Sequence, residues 1–193
     1  DNNQCQTTES ATITSPGSSV TATSANVSTL LDCNGDNDGT FTIIGSGGTS
    51  PYTYSNDAGS TWETNTAGGF SATNTFATLT AGTYTVRVKD GNGCTYDISV
   101  TINEPTAVSS SSSVTDVDCR GNSTGEIDLT ASGGTEAGNY AYSWVNDATP
   151  GVVFATTEDL SNLAVGAYTC TVTDDNSCTT TESAVTVSEP ANA

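Results

Sequence analysis

The residues best suited to chemistry in this chain are its six cysteines, at positions 5, 33, 94, 119, 170 and 178. There is no histidine, so a Cys/His zinc site and a Cys/His nucleophile are both excluded. No CxxC spacing occurs, which leaves oxidation to structural disulfides in an extracellular setting as the reading of these thiols. A second candidate is the loop DCNGDNDG at 32–39, where Asp32, Asn34, Asp36 and Asp38 place oxygens at alternate positions, as at the start of a calcium loop. Its glycine falls two places late and no bidentate glutamate follows at the required spacing. The competing reading is a tight acidic turn. A third candidate is aromatic: Tyr52, Tyr54 and Trp62, and Tyr140, Tyr142 and Trp144, rings for stacking on a sugar or for filling a core. The Tyr-x-Tyr spacing puts both rings on one strand face, which favours the core; Trp144 is expected out of phase with its tyrosines and exposed. No nucleophile-elbow or H-E-x-x-H motif occurs. With 22 Asp plus Glu, paired carboxylates carry no information. No catalytic residue is expected, and no cofactor other than calcium.

The elements that must position these groups are strands. Thr and Ser are abundant and the β-branched side chain of Thr suits a pleated surface. No long stretch shows an apolar period of 3.6 residues. The net charge is −19, with three Lys plus Arg, which excludes a nucleic-acid partner, because phosphate contacts need clustered cations. No apolar run reaches membrane-spanning length and none reads as a signal peptide, so direct membrane insertion is not expected and the chain reads as a mature protein or an internal fragment.

The chain repeats itself. TLLDCNG (29–35) falls on TDVDCRG (115–121), GTFTIIGSGGT (39–49) on GEIDLTASGGT (125–135), YTYS (52–55) on YAYS (140–143), and LTAGTYTVRVKDGNGC (79–94) on LAVGAYTCTVTDDNSC (163–178). ISVTINEP (98–105) then falls on SAVTVSEP (183–190). Residues 1–16 fall on 90–105, so they read as the final strand of a preceding repeat. The expected organisation is that strand at 1–16, a sandwich at 17–105, a second at 106–190 and the start of a linker at 191–193. In each repeat the first strand ends at Cys33 or Cys119, and the second turns Phe41 and Ile43, or Ile127 and Leu129, inward. SGGT reads as a flexible turn. GTYTVRV buries Tyr84, Val86 and Val88, and the final strand buries Ile98, Val100 and Ile102, or Val185 and Val187. One extra residue between Cys178 and Pro190 predicts a bulge. Cysteine pairing stays open between Cys33–Cys94 with Cys119–Cys178, leaving Cys5 without a partner, Cys5–Cys33 with Cys94–Cys119, and reduced thiols or other pairings. The within-repeat scheme is the leading one, with one argument for the second: parallel first and last strands would set Cys33 and Cys94 at opposite ends. Cys170 occupies a core position and reads as a buried free thiol.

The series C-x-G, G-x-I/F, SGGT-x-PY-x-Y, L-x-A-G-x-Y-x-V-x-V-x-D-x-N-x-C and V-x-V/I-x-x-P resembles the SprB repeat. In the first copy it is carried by Gly47, Gly48, Pro51, Tyr52, Tyr54, Leu79, Ala81, Gly82, Tyr84, Val86, Asp90, Asn92 and Cys94. In the second it is carried by Gly133, Gly134, Tyr140, Tyr142, Leu163, Gly166, Tyr168, Val172, Asp174, Asn176 and Cys178. That copy departs at Asn139, where the pattern has proline, and at Cys170, which replaces the inward Val86. The fold expected is all-β: tandem immunoglobulin-like or PKD-like β-sandwich repeats. The resemblance implies a stalk or filament segment of a large bacterial surface adhesin of the gliding-motility kind, exported by type IX secretion and located outside the cell, with no catalytic residues. Its expected partners are adjacent repeats or filament subunits, reached by addition of the 1–16 strand to a neighbour. A glycan- or cell-surface-binding module is the alternative.

Overall fold

The computed structural model describes residue 10 and residues 17–25, 30–64, 72–135 and 139–191. The strand expected at 1–16, and Cys5 within it, lie outside the described residues apart from Ser10. The described residues form strands and turns, with no helix.

In the first repeat β1 (Thr21–Ala25), β2 (Gly39–Ser46) and β5 (Thr73–Leu79) make a three-stranded sheet in the order β1-β2-β5. The strands β3 (Thr53–Ser55), β4 (Glu63–Thr64), β6 (Gly82–Lys89) and β7 (Thr95–Ile102) make a second sheet, ordered β4-β3-β6-β7. The second repeat reproduces this plan. Its three-stranded sheet is β12 (Leu160–Leu163), β9 (Gly125–Gly134) and β8 (Thr106–Thr115). Its four-stranded sheet runs β11 (Val153–Ala155), β10 (Ala141–Asn146), β13 (Gly166–Thr173) and β14 (Thr179–Val187). Three strands facing four, with the second strand paired to the first and fifth, is an immunoglobulin-like sandwich.

Period-two burial builds both cores. Phe41, Ile43, Val86 and Val88 are fully buried, as are Ile127, Leu129, Val172 and Val187. Phe41 meets Phe76 and Tyr84 with ring centroids 5.2 and 5.8 Å apart. At the start of β13 the Tyr168 hydroxyl donates to the Ala164 carbonyl, 2.9 Å away. That is a tyrosine corner, and it gives the L-x-x-G-x-Y string its physical meaning. The bulge expected in the last strand is present: β13–β14 register slips between Tyr168 and Cys170, and Ala184 takes φ +56°.

Several expectations fail here. Tyr84 and Ile98 are half-buried rather than buried. Cys33 and Cys119 sit in turns rather than at strand ends, and in the second repeat the first strand, β8, closes at Thr115. Trp144 is fully buried rather than exposed, and its Nε1 donates to the Thr157 carbonyl at 3.0 Å. Residues 142 and 144 are two apart, so a strand puts them on the same face.

The described residues fall into two compact units: one within Asp1–Val27, Phe41–Phe76 and Thr83–Val100, the other within Ser28–Thr40, Ala77–Gly82 and Thr101–Ala193. The Cys33 loop therefore belongs to the same compact unit as the second repeat.

Candidate functional site: a crosslinked joint

Two kinds of turn present the cysteines. In the first, D-x-N-x-C, an aspartate organises the backbone. The Asp174 carboxylate accepts the N–H groups of Thr135 (3.1 Å), Asn176 (3.0 Å) and Cys178 (2.8 Å), while its own N–H donates to the Cys178 carbonyl (3.0 Å). Asp90 does the same in the first repeat, accepting from Thr49 (2.9 Å), Asn92 (3.0 Å) and Cys94 (2.8 Å). Burial pushes the Asp174 carboxyl up, but the donors from Thr135, Cys178 and Asn176 outweigh it and hold the group below its ordinary value. For Asp90 the Thr49 N–H leads the same depression.

SGGT is not merely a flexible turn. Gly48 and Gly134 take left-handed φ of +58° and +74°, and a Cβ on either would stand 2.5 Å from the carboxylate of Asp90 or Asp174. The Tyr52 and Tyr140 hydroxyls donate to the carbonyls of Gly47 and Gly133. Three separate strings of the repeat, SGGT, the first tyrosine of Tyr-x-Tyr and D-x-N-x-C, thus form one scaffold beneath a cysteine.

The second turn is C-x-G. Asp36 N–H donates to the Cys33 carbonyl at 3.3 Å, and Asn122 N–H to the Cys119 carbonyl at 3.0 Å. Gly35 and Gly121 take φ of +83° and +81°. Each turn is clasped by the Glu-Pro that follows its repeat's last strand. Gly35 N–H donates to Glu104 Oε2 (2.7 Å) and Asn34 Nδ2 to the Pro105 carbonyl (3.0 Å), while Arg120 Nε pairs with Glu189 Oε1 (3.0 Å).

One turn of each kind is joined. Cys33 and Cys178 form a disulfide, with Cα atoms 5.6 Å apart and 145 residues of sequence between them. Beside it Asn176 Nδ2 donates to the Asp32 carbonyl at 3.2 Å. This bond replaces both expected pairing schemes. Within a repeat, the C-x-G turn lies at one end of the final strand and the D-x-N-x-C turn at the other. Val117 N–H donates to the Ser188 carbonyl beyond the end of β14, and Cys178 precedes its start. Ten extended residues separate 178 from 188, about 33 Å, against the roughly 4–7 Å that bonded cysteine Cα atoms span. Leu30 pairs in parallel with Asn103 past the end of β7 in the same way. The second scheme also fails, because Cys94 and Cys119 are both free and exposed. Cys170 is buried and unbonded, and burial raises its thiol pKa. Cys5 lies outside the described residues.

Two of the four side chains of the candidate calcium loop bind its own backbone and a third turns its amide nitrogen outward. Asp36 Oδ2 accepts from the Cys33 N–H (3.1 Å) and Asp38 Oδ2 from the Asp32 N–H (3.4 Å), while Asn34 reaches Pro105. Among the described residues no group of three or more Asp, Glu, Cys or His is placed to hold a metal. Nor do the aromatic side chains make one platform: Tyr54 and Trp144 are fully buried, and Lys89 Nζ lies 3.9 Å from the centroid of the half-exposed Trp62 ring.

The sheets and the tyrosine corner define the class: tandem immunoglobulin-like sandwiches. The resemblance to the SprB repeat is shown: that family's model matches residues 21–61 and 111–149, segments that hold the C-x-G and SGGT turns of both repeats. The D-x-N-x-C turns at 90–94 and 174–178 fall outside the matched segments. Among solved structures the chain is similar to a C-terminal fragment of intimin in complex with the translocated intimin receptor's intimin-binding domain. That likeness has 19% identity and a TM-score of 0.39, over 89% of this chain and 64% of the other. It is also similar to the fibronectin(III)-like modules of Clostridium thermocellum CbhA, at 15% identity and TM-score 0.35, over 84% and 91%. The mouse nectin-like molecule 4 ectodomain follows at 11% identity and TM-score 0.38, over 92% and 66%. These scores add nothing to the fold read from the sheets. No curated protein matches the chain. The repeat match points to a surface-adhesin type of β-sandwich module, a non-catalytic kind.

Proposed function

We propose that this chain is a structural segment of an extracellular bacterial surface adhesin. As a stalk or filament it resists force and holds a distal adhesive region away from the cell, with adjacent repeats of the same kind as its partners. Gliding motility and export by type IX secretion belong to the same reading. The observation that carries it is the Cys33–Cys178 bond, which ties a loop of the first repeat to the last hairpin of the second. The 22 Asp plus Glu against three Lys plus Arg keep such a segment soluble and unadhesive along its length.

The bond places a mechanical limit on the chain. Of the strands described, β1 and β14 lie outside the loop it closes. A pull on the two ends therefore leaves the rest of both sandwiches slack. At about 3.5 Å per residue, 145 residues conceal about 500 Å of contour. Single-molecule stretching should release that length only in the presence of a reductant. Full extension of the oxidised protein would overturn the reading of this chain as a segment that resists force.

A further inference from the structure

Among the described residues, the two free, exposed cysteines are the same two turns over again. Cys94 closes a D-x-N-x-C turn hydrogen-bonded, donor for donor, like that of Cys178. Cys119 opens a C-x-G turn like that of Cys33, with the same turn hydrogen bond and the same left-handed glycine. Each bonded cysteine is half-buried, whereas Cys94 and Cys119 are exposed. The asparagine that accompanies the bond differs in the same way. Asn176 reaches across to the Asp32 carbonyl, while Asn92 Nδ2 is turned back on Thr49 Oγ1 at 3.0 Å.

The Cys33–Cys178 bond runs from the C-x-G turn of one repeat to the D-x-N-x-C turn of the next. Applied again, that rule gives Cys119 a partner in a following repeat and Cys94 a partner in a preceding one. We propose that Cys94 and Cys119 are the open halves of this inter-repeat crosslink, and that each takes the complementary cysteine of a further repeat of this type. For the chain in solution that repeat is a second copy, joined head to tail through Cys119 of one and Cys94 of the other. Such a contact is heterologous and does not close on itself, so it propagates as a string. The oxidant is a small disulfide such as oxidised glutathione. The Cys119 thiolate attacks it and releases one glutathione thiol. The Cys94 thiolate then attacks the protein sulfur of the mixed disulfide and releases the second, so two thiols are oxidised and one disulfide is reduced.

The crosslink goes beyond the force-resisting role and is independent of it, because bond formation is measured without force. The test starts from protein carrying its native Cys33–Cys178 bond, with Cys5→Ser in the background. Oxidised glutathione is added at raised ionic strength, to screen repulsion between chains of net charge −19. A non-reducing gel should show a ladder, and peptide mass spectrometry of its dimer should show Cys94 linked to Cys119. The ladder is lost in Cys94→Ser and in Cys119→Ser. Mixing those two variants restores a dimer and nothing larger. The proposal is overturned by a chain that stays monomeric, by Cys94–Cys94 or Cys119–Cys119 bonds in the single variants, or by a Cys94–Cys119 bond within one chain.

Discussion

Asp174 and Asp90 show how much one side chain fixes here. Both are buried, at 5% and 4% exposure, and both keep a carboxyl pKa below the ordinary value because backbone N–H groups aim at the charge. A depressed folded pKa stabilises the fold above the unfolded value, about 3.9, and that stability disappears as pH falls through the folded value. The melting temperature should therefore hold level from pH 7 to pH 5 and fall below about pH 4. Replacing both residues by Asn should lower it at pH 7 and flatten the acid slope, because an amide nitrogen would face the Thr49 or Thr135 N–H. An unchanged slope would show that other carboxylates, such as Asp97 beside Arg87, govern acid unfolding. At this scale the sequence was legible for inward Phe41, Ile43, Ile127 and Leu129, because alternation depends only on the pleat. It was misread for Trp144, where a simple count of two places Tyr142 and Trp144 on one face.

At the scale of elements, β2, β6 and β7 follow from alternation and turn residues, as does the β14 bulge that one extra residue requires, whereas β5 and β12 were not read. SGGT was less legible. Two glycines in a row read as looseness, and nothing local says that a carboxylate some 40 residues later will fill the space. The structure makes that space a requirement. Gly134→Ala would put a methyl group 2.5 Å from Asp174 Oδ2 and 3.1 Å from Val108, at φ +74°. The expected cost is about 1–3 kcal/mol. Urea denaturation should show it as a shifted midpoint with an unchanged slope. Gly151→Ala supplies the control, since its φ of +85° is equally left-handed but a Cβ there has open space around it. If the two variants lose equal stability, backbone strain and not the carboxylate contact explains the loss.

The whole molecule was the least legible scale. Its sandwiches repeat in the sequence, so the recurrence of their strands could be read as a pattern. The disulfide could not, because it joins unlike motifs from different repeats. The strand argument that separates the two ends of a repeat rejects Cys33–Cys94 but says nothing about what stands across the joint. In the chain-entropy account, closing 145 residues stabilises the fold by about 5 kcal/mol. Reduction should lower the melting temperature accordingly, and Cys33→Ser should show the same value with or without reductant.

The bond has one more consequence, which concerns damage. Between residues 33 and 178 the ends of this chain are wired in parallel: one route is the polypeptide, the other a single pair of sulfur atoms. Either route can be cut without breaking the circuit. The exposed run Val152, Val153 and Phe154, at 61%, 53% and 46% exposure, offers a protease a place to cut the longer one. Limited proteolysis there should give one band on a non-reducing gel and two after reduction. A surface fibre built on this plan would survive a nick that severs an ordinary chain.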